Sequence, residues 1–221
     1  MKRDVDIDEI SDGKRYHAND MVKIGCNDCK DCKTCCCQNM GHTIILDPYD
    51  IYNLTTGLNT SFDNLLGEDK PVIELSMADG ILLPNIKMQE GSNACIFLDD
   101  NKRCKIHNYR SGFCRMYPLG RIYEDGSFSY FNQIYECDYP SKSKVKIKKW
   151  LGINNLPEYE RFTLMWHDFL EDVRSEIKST ADVNAISQIC VNLLQVFYRQ
   201  PYNKEESFYD QVYERLRKVT E

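Results

Sequence analysis

The chain has 221 residues, of which 42% are hydrophobic, with 14 tyrosines and a formal net charge of −6. This composition excludes a disordered chain and a general polyanion binder, and no apolar run approaches the ~18 residues of a membrane span. The first twenty residues, MKRDVDIDEISDGKRYHAND, have no apolar segment of the kind that marks a secretory signal, so the expected location is the cytoplasm.

The first informative stretch is CNDCKDCKTCCC, residues 26–37, which holds six of the eleven cysteines. In a reducing compartment dense cysteine patterns are more often metal ligands than disulfides. Adjacent Cys35, Cys36 and Cys37 would also each need a separate distant partner. Thiolates select zinc, copper(I) or the iron of iron–sulfur clusters. Cys26, Cys29, Cys32 and Cys35 repeat at three-residue intervals, and Cys26-x2-Cys29-x2-Cys32-x3-Cys36 has the bare spacing of a bacterial ferredoxin run. Cys37 stands where that run has proline, and no second run follows.

TIILDPYDIYNLTTGLN, beginning at Thr43, reads as a short strand and then a helix, with Asp47 as N-cap, Pro48 in the first turn and Gly57 at the end. Thr60 and Asp63 have capping-box spacing for a second short helix. Two hairpins are expected, turning at Asp79-Gly80 and at Asp125-Gly126. Between them Cys95 and Cys104 flank the polar turn DDNK, in which Asp99 and Asp100 are turn formers rather than a catalytic pair. Cys114 follows, and Cys137 comes just after the second hairpin. Neighbouring side chains diverge, so Cys35 and Cys36 fit two centres better than one. The run together with Cys95, Cys104, Cys114 and Cys137 holds enough sulfur for both.

SKSKVKIKKW, residues 141–150, carries five lysines and reads as a solvated face. Beyond it, Phe162, Met165, Trp166, Phe169, Leu170, Val173 and Ile177 recur at helical spacing. Ile186, Ile189, Cys190, Leu193, Leu194 and Phe197 form a second stripe that Pro201 stops, and Phe208, Val212, Leu216 and Val219 a third. Cys190 therefore reads as a core residue. The expected fold class is α+β: a small cysteine-rich α+β part with short hairpins, followed by a C-terminal helical part. The expected division is an N-terminal extension over 1–25, a metal-binding part over 26–140, and a helical part over 141–221.

Cys29-x2-Cys32-x2-Cys35-Cys36, the LDPYD helix start and CIFLDDNKRCKIHNYRSGFCRMYP together resemble the CxxCxxCC cysteine-cluster family, zinc- or iron-chelating domains of the YkgJ type. The resemblance implies metal ligands at Cys29, Cys32, Cys35, Cys36, Cys95, Cys104 and Cys114, with Cys137 an eighth. Cys26 and Cys37 are additions to that pattern, either further ligands or spare thiols. Where the family has Arg-Pro before its late cysteine, this chain has Arg110-Ser111, a replacement expected to loosen the backbone. A similar cluster occurs in flagellin lysine-N-methylase, so a methyltransferase-related role is one alternative. Against it, the chain lacks a glycine-rich nucleotide loop.

His17, His42, His107 and His167 form no HxxxH or HExxH pair; His42 and His107 are near cysteines in sequence, and His167 adjoins an apolar helix face. Arg103, Arg110 and Arg115 interleave with the later cysteines and are placed to offset thiolate charge. No GxSxG, P-loop or GxGxxG is present, so no catalytic residue is assigned. The leading expectation is a cytosolic metalloprotein holding iron–sulfur, with a 4Fe–4S cluster favoured, in redox or modification chemistry. The alternative is a Zn2+-binding structural module whose helices recognise a protein partner.

Overall fold

The computed structural model describes residues 6–26 and 32–220. A short helix α1 (Ile7–Ile10) precedes strand β1 (Met21–Gly25), and helices α2 (Pro48–Gly57) and α3 (Phe62–Leu66) follow the cysteine run. Strands β2 (Ile73–Ala78) and β3 (Ile81–Ile86) form the first hairpin, with Asp79 and Gly80 at φ 50° and 89°. After helix α4 (Gly112–Met116), strands β4 (Leu119–Glu124) and β5 (Ser127–Asn132) form the second, with Asp125 and Gly126 at φ 51° and 66°. Positive φ at both turn residues is what a type I′ turn demands, so each Asp-Gly pair fixes its hairpin's register. Strand β6 (Ser143–Lys146), helices α5 (Ile147–Leu151), α6 (Leu156–Ser179), α7 (Val183–Leu194) and α8 (Phe208–Thr220) complete the chain.

Mixed α+β architecture with short antiparallel hairpins and C-terminal helices matches the sequence reading. Among the described residues the three sheets are two-stranded, and β1 pairs antiparallel with β6, so the segment before the cysteine run is stitched to the segment after residue 141. One apolar core runs through the molecule, from Ile24, Ile44 and Leu54 through Ile73 and Leu83 to Phe162, Phe197 and Val212. The Tyr198 hydroxyl donates to the Leu46 carbonyl at 3.0 Å inside that core. Cys190 is buried on α7, as expected, with its sulfur 3.5 Å from the Leu82 amide.

Two local expectations need correction. Residues 43–46 do not form a strand of their own; a single bridge joins Ile45 to Asn85, because the chain leaves at once to cap α2. The cap of α3 is Ser61, not Thr60; its hydroxyl accepts from the Asn64 amide at 3.2 Å. A serine one residue later satisfies the same orphan N–H, and spacing alone does not choose between them.

Candidate metal centre

Local backbone chemistry delivers the cysteines. Residues 35–37 form one 3-10 turn entered through Thr34, which is buried at φ 60°. Thr34 is held there by its amide on the Cys32 sulfur (3.3 Å) and by Gln38, whose Nε2 donates to its hydroxyl at 2.7 Å. The turn is then zipped to the segment carrying Cys95, with the Cys95 amide donating to the Cys37 carbonyl at 2.8 Å and the Asn39 amide to the Asn93 carbonyl at 2.9 Å. Cys104 is returned beside this strand by a tight loop. Its Leu98–Cys104 bridge is closed by the Arg103 amide on Asp99 Oδ1 at 2.7 Å, so Asp99 serves the turn.

Cys114 arrives on α4, whose placement depends on Ser111 and Asp50. Ser111 is fully buried at φ −60°, the value a proline would have, and its hydroxyl accepts from the Cys114 amide at 3.3 Å. The serine thus caps α4 and bonds beside the thiol instead of loosening the chain. Asp50, buried in the first turn of α2, accepts from the Gly112 amide at 2.7 Å and pins α4 to α2. A β-carbon at Gly112 would overlap the Tyr159 hydroxyl, so glycine is required for that approach.

Cys32, Cys36, Cys37, Cys95, Cys104 and Cys114 converge on a cavity of about 50 Å³ with apolar walls from Ile86, Leu98 and Ile106 and polar ones from His107 and Arg110. The thiols there share a backbone pattern. Cys32 accepts from the amide of Thr34, Cys95 from that of Phe97 and Cys104 from that of Ile106, each two residues on. Such N–H···S bonds orient sulfur and spread thiolate charge.

Burial pushes the Cys95 thiol up to about 11 and Cys114 up to about 12, and it raises Cys104 and Cys32 as well. Cys36 goes the other way, to about 7, because it shares a hydrogen bond with the Cys37 thiol 3.7 Å away and Arg110 faces it. Cys37 is raised in exchange by the same hydrogen bond. Thiols gathered where their own ionisation is opposed, against N–H donors that favour it, suit a site whose missing charge comes from a cation.

Other described thiols lie within electrostatic reach of Cys32. Cys26 and Cys137 both raise Cys32, and Cys26 and Cys35 both raise Cys137, whose sulfur accepts from the Tyr139 amide, again two residues on. Tyr117 lies within the field of Cys35, Cys36 and Cys137, and its hydroxyl donates to the Glu136 carbonyl. Cys29 lies outside the described residues. Among the described residues no three His, Cys, Asp or Glu side chains are already drawn to the spacing of a single bound ion.

The other candidates separate cleanly. His42 is exposed and bonded to Glu74 at 2.9 Å, and His167 stacks on Tyr123 at 3.6 Å. His107 borders the sulfur cavity and contacts Arg110 Nη1 at 3.1 Å. Arg103 and Arg110 line the same cavity, while Arg115 faces a neighbouring cleft. Among the described residues no helix is long and apolar enough to cross a membrane.

Residues 28–138 match the model of the CxxCxxCC family, described as a putative zinc- or iron-chelating domain. No curated protein and no solved structure matches the chain. Six described cysteines line one cavity, and the match extends over half of the sequence. The chain belongs to the CxxCxxCC family, and it is a metal-binding protein of zinc- or iron-chelating type.

Proposed function

We propose that the protein holds two iron–sulfur clusters of the 4Fe–4S type in a reducing, cytoplasmic setting. The observation that carries this reading is the sulfur cavity itself. It has a volume of about 50 Å³, and six of the residues lining it are cysteines. A lone tetrahedral ion would need four sulfurs about 2.3 Å from one point. A polynuclear centre suits thiols spread around a larger space.

In this reading Cys36, Cys95, Cys104 and Cys114 hold one centre. Cys32, Cys35 and Cys137 hold the other with Cys26 or Cys29. Cys37 hydrogen-bonds with the Cys36 sulfur, Arg110 offsets thiolate charge, and Ile86, Leu98 and Ile106 keep water out. Such centres supply one-electron transfer, or an open iron position for substrate.

Elemental analysis of anaerobically isolated protein tests this. Iron with matching sulfide, and absorption near ~400 nm, is expected. Stoichiometric zinc in colourless protein would replace this reading with the structural zinc one. Cys95→Ser, Cys104→Ser and Cys114→Ser should each lower bound metal, and full retention in all three would reject the first centre.

A further inference from the structure

We propose that the cleft between α5 and residues 107–115 binds a small organic anion with a carboxylate or phosphate head. The cleft has a volume of about 560 Å³, within the ~300–1,000 Å³ range of small-molecule sites. Arg110, Arg115 and Lys149 line it, and no Asp or Glu does, although acidic residues outnumber basic ones in the chain. None of these three cations has a carboxylate within ion-pair distance among the described residues.

Arg115 is instead clamped to carbonyl oxygens of Arg110, Asn108, Leu151 and Gly152, which fixes its guanidinium without an ion pair. Burial and the neighbouring Arg110 act against that charge, and Asp50, which does not line the cleft, offsets them only in part, so the net shift is downward. Arg110 meanwhile has a buried Nε with no partner. Two arginines held together with no carboxylate in ion-pair reach are stabilised by a bound anion. The amides of Asn53, Asn108 and Asn154 and the ring of Trp150 supply directional contacts and a planar surface for the ligand's body.

The sulfur cavity is separated from this cleft by a shared wall of His107 and Arg110. An anion held here therefore lies one residue away from the metal centre, the position of a substrate or an effector. The argument rests on the cations and the cleft and stands whichever metal the thiols hold.

Isothermal titration calorimetry of the metal-loaded protein with inorganic pyrophosphate and, separately, with benzoate tests this. Saturable one-to-one binding of at least one probe is expected, and the tighter probe assigns the head group. Lys149→Glu should weaken binding at least tenfold with metal content unchanged, since Lys149 does not line the sulfur cavity. Lys178→Glu, on the exposed far end of α6, should leave binding as it was. No saturable binding of either probe, an unaltered affinity in Lys149→Glu, or equal weakening in Lys178→Glu would each overturn the proposal.

Discussion

Two buried carboxylates at the start of α2 show how single residues set the site. The Asp47 and Asp50 side chains cap each other's backbone, and Asp50 also holds the Gly112 amide that positions Cys114. Asp50→Ala leaves that buried amide without a partner and is expected to cost about 2–4 kcal/mol, from ~1 for the cap and ~1–3 for the orphaned donor, read as a shifted urea midpoint. Burial pushes the Asp47 carboxyl up to about 6, and it raises Asp50, which faces Asp47, well above the ordinary carboxylate range. A carboxyl raised in the fold stabilises most below its unfolded value near 3.8, and that contribution is lost as pH rises through about 6 and beyond. Urea midpoints measured from pH 4 to 8 should therefore show a shallower loss with rising pH in Asp50→Asn than in the parent. Parallel curves would show that the Asp50 carboxyl is not raised in the fold. The capping role of Asp47 was legible in LDPYD, because caps are local. The Asp50–Gly112 bond was not, because it joins residues 62 positions apart.

At the scale of elements, local chemistry succeeded where one dipeptide dictates geometry. Both Asp-Gly hairpins turn where expected, and Pro48 and Gly57 bound α2. The misplaced cap at Thr60 and the missing strand at 43–46 show the limit, since neighbouring polar residues and tertiary pairing decide between near-equal options. Gly57 also has a role beyond ending the helix: the Tyr109 ring lies directly over it, setting the turn at 107–109 against α2. The α4 element depends on Ser111. Ser111→Ala should lower stability by about 1 kcal/mol through the lost cap and should also reduce metal retention under chelator challenge, because the same hydroxyl orients Cys114. Ser111→Pro keeps the backbone angle but loses the hydroxyl, so chelator half-lives that match the parent's would show that φ alone matters.

Across the whole molecule, the metal region and the helices share one core while deriving stability from different sources. Around the cysteines the backbone is mostly turns and single bridges, with few regular hydrogen bonds. The helices carry stacked aromatics such as Phe162, Trp166 and Phe197. Stripping metal should lower the melting temperature and expose amides over 93–106 to rapid hydrogen exchange, while α6 and α7 stay protected. Uniform loss of protection would show that metal holds the entire core instead.

The sequence by itself determined that thiols are the ligating chemistry, that Cys190 is core, and that hairpins precede a helical end, because donor type and periodicity are written residue by residue. It did not show which cysteines face a common cavity. That follows from a left-handed residue at Thr34, a zip between 37–39 and 93–95, and a cap at Ser111. The cation-lined cleft beside them was equally hidden, since Arg110 and Lys149 meet only when β1 pairs with β6 and α5 packs against α4. Contacts between distant segments depend on the path of the backbone, and only the folded chain brings those side chains to one wall.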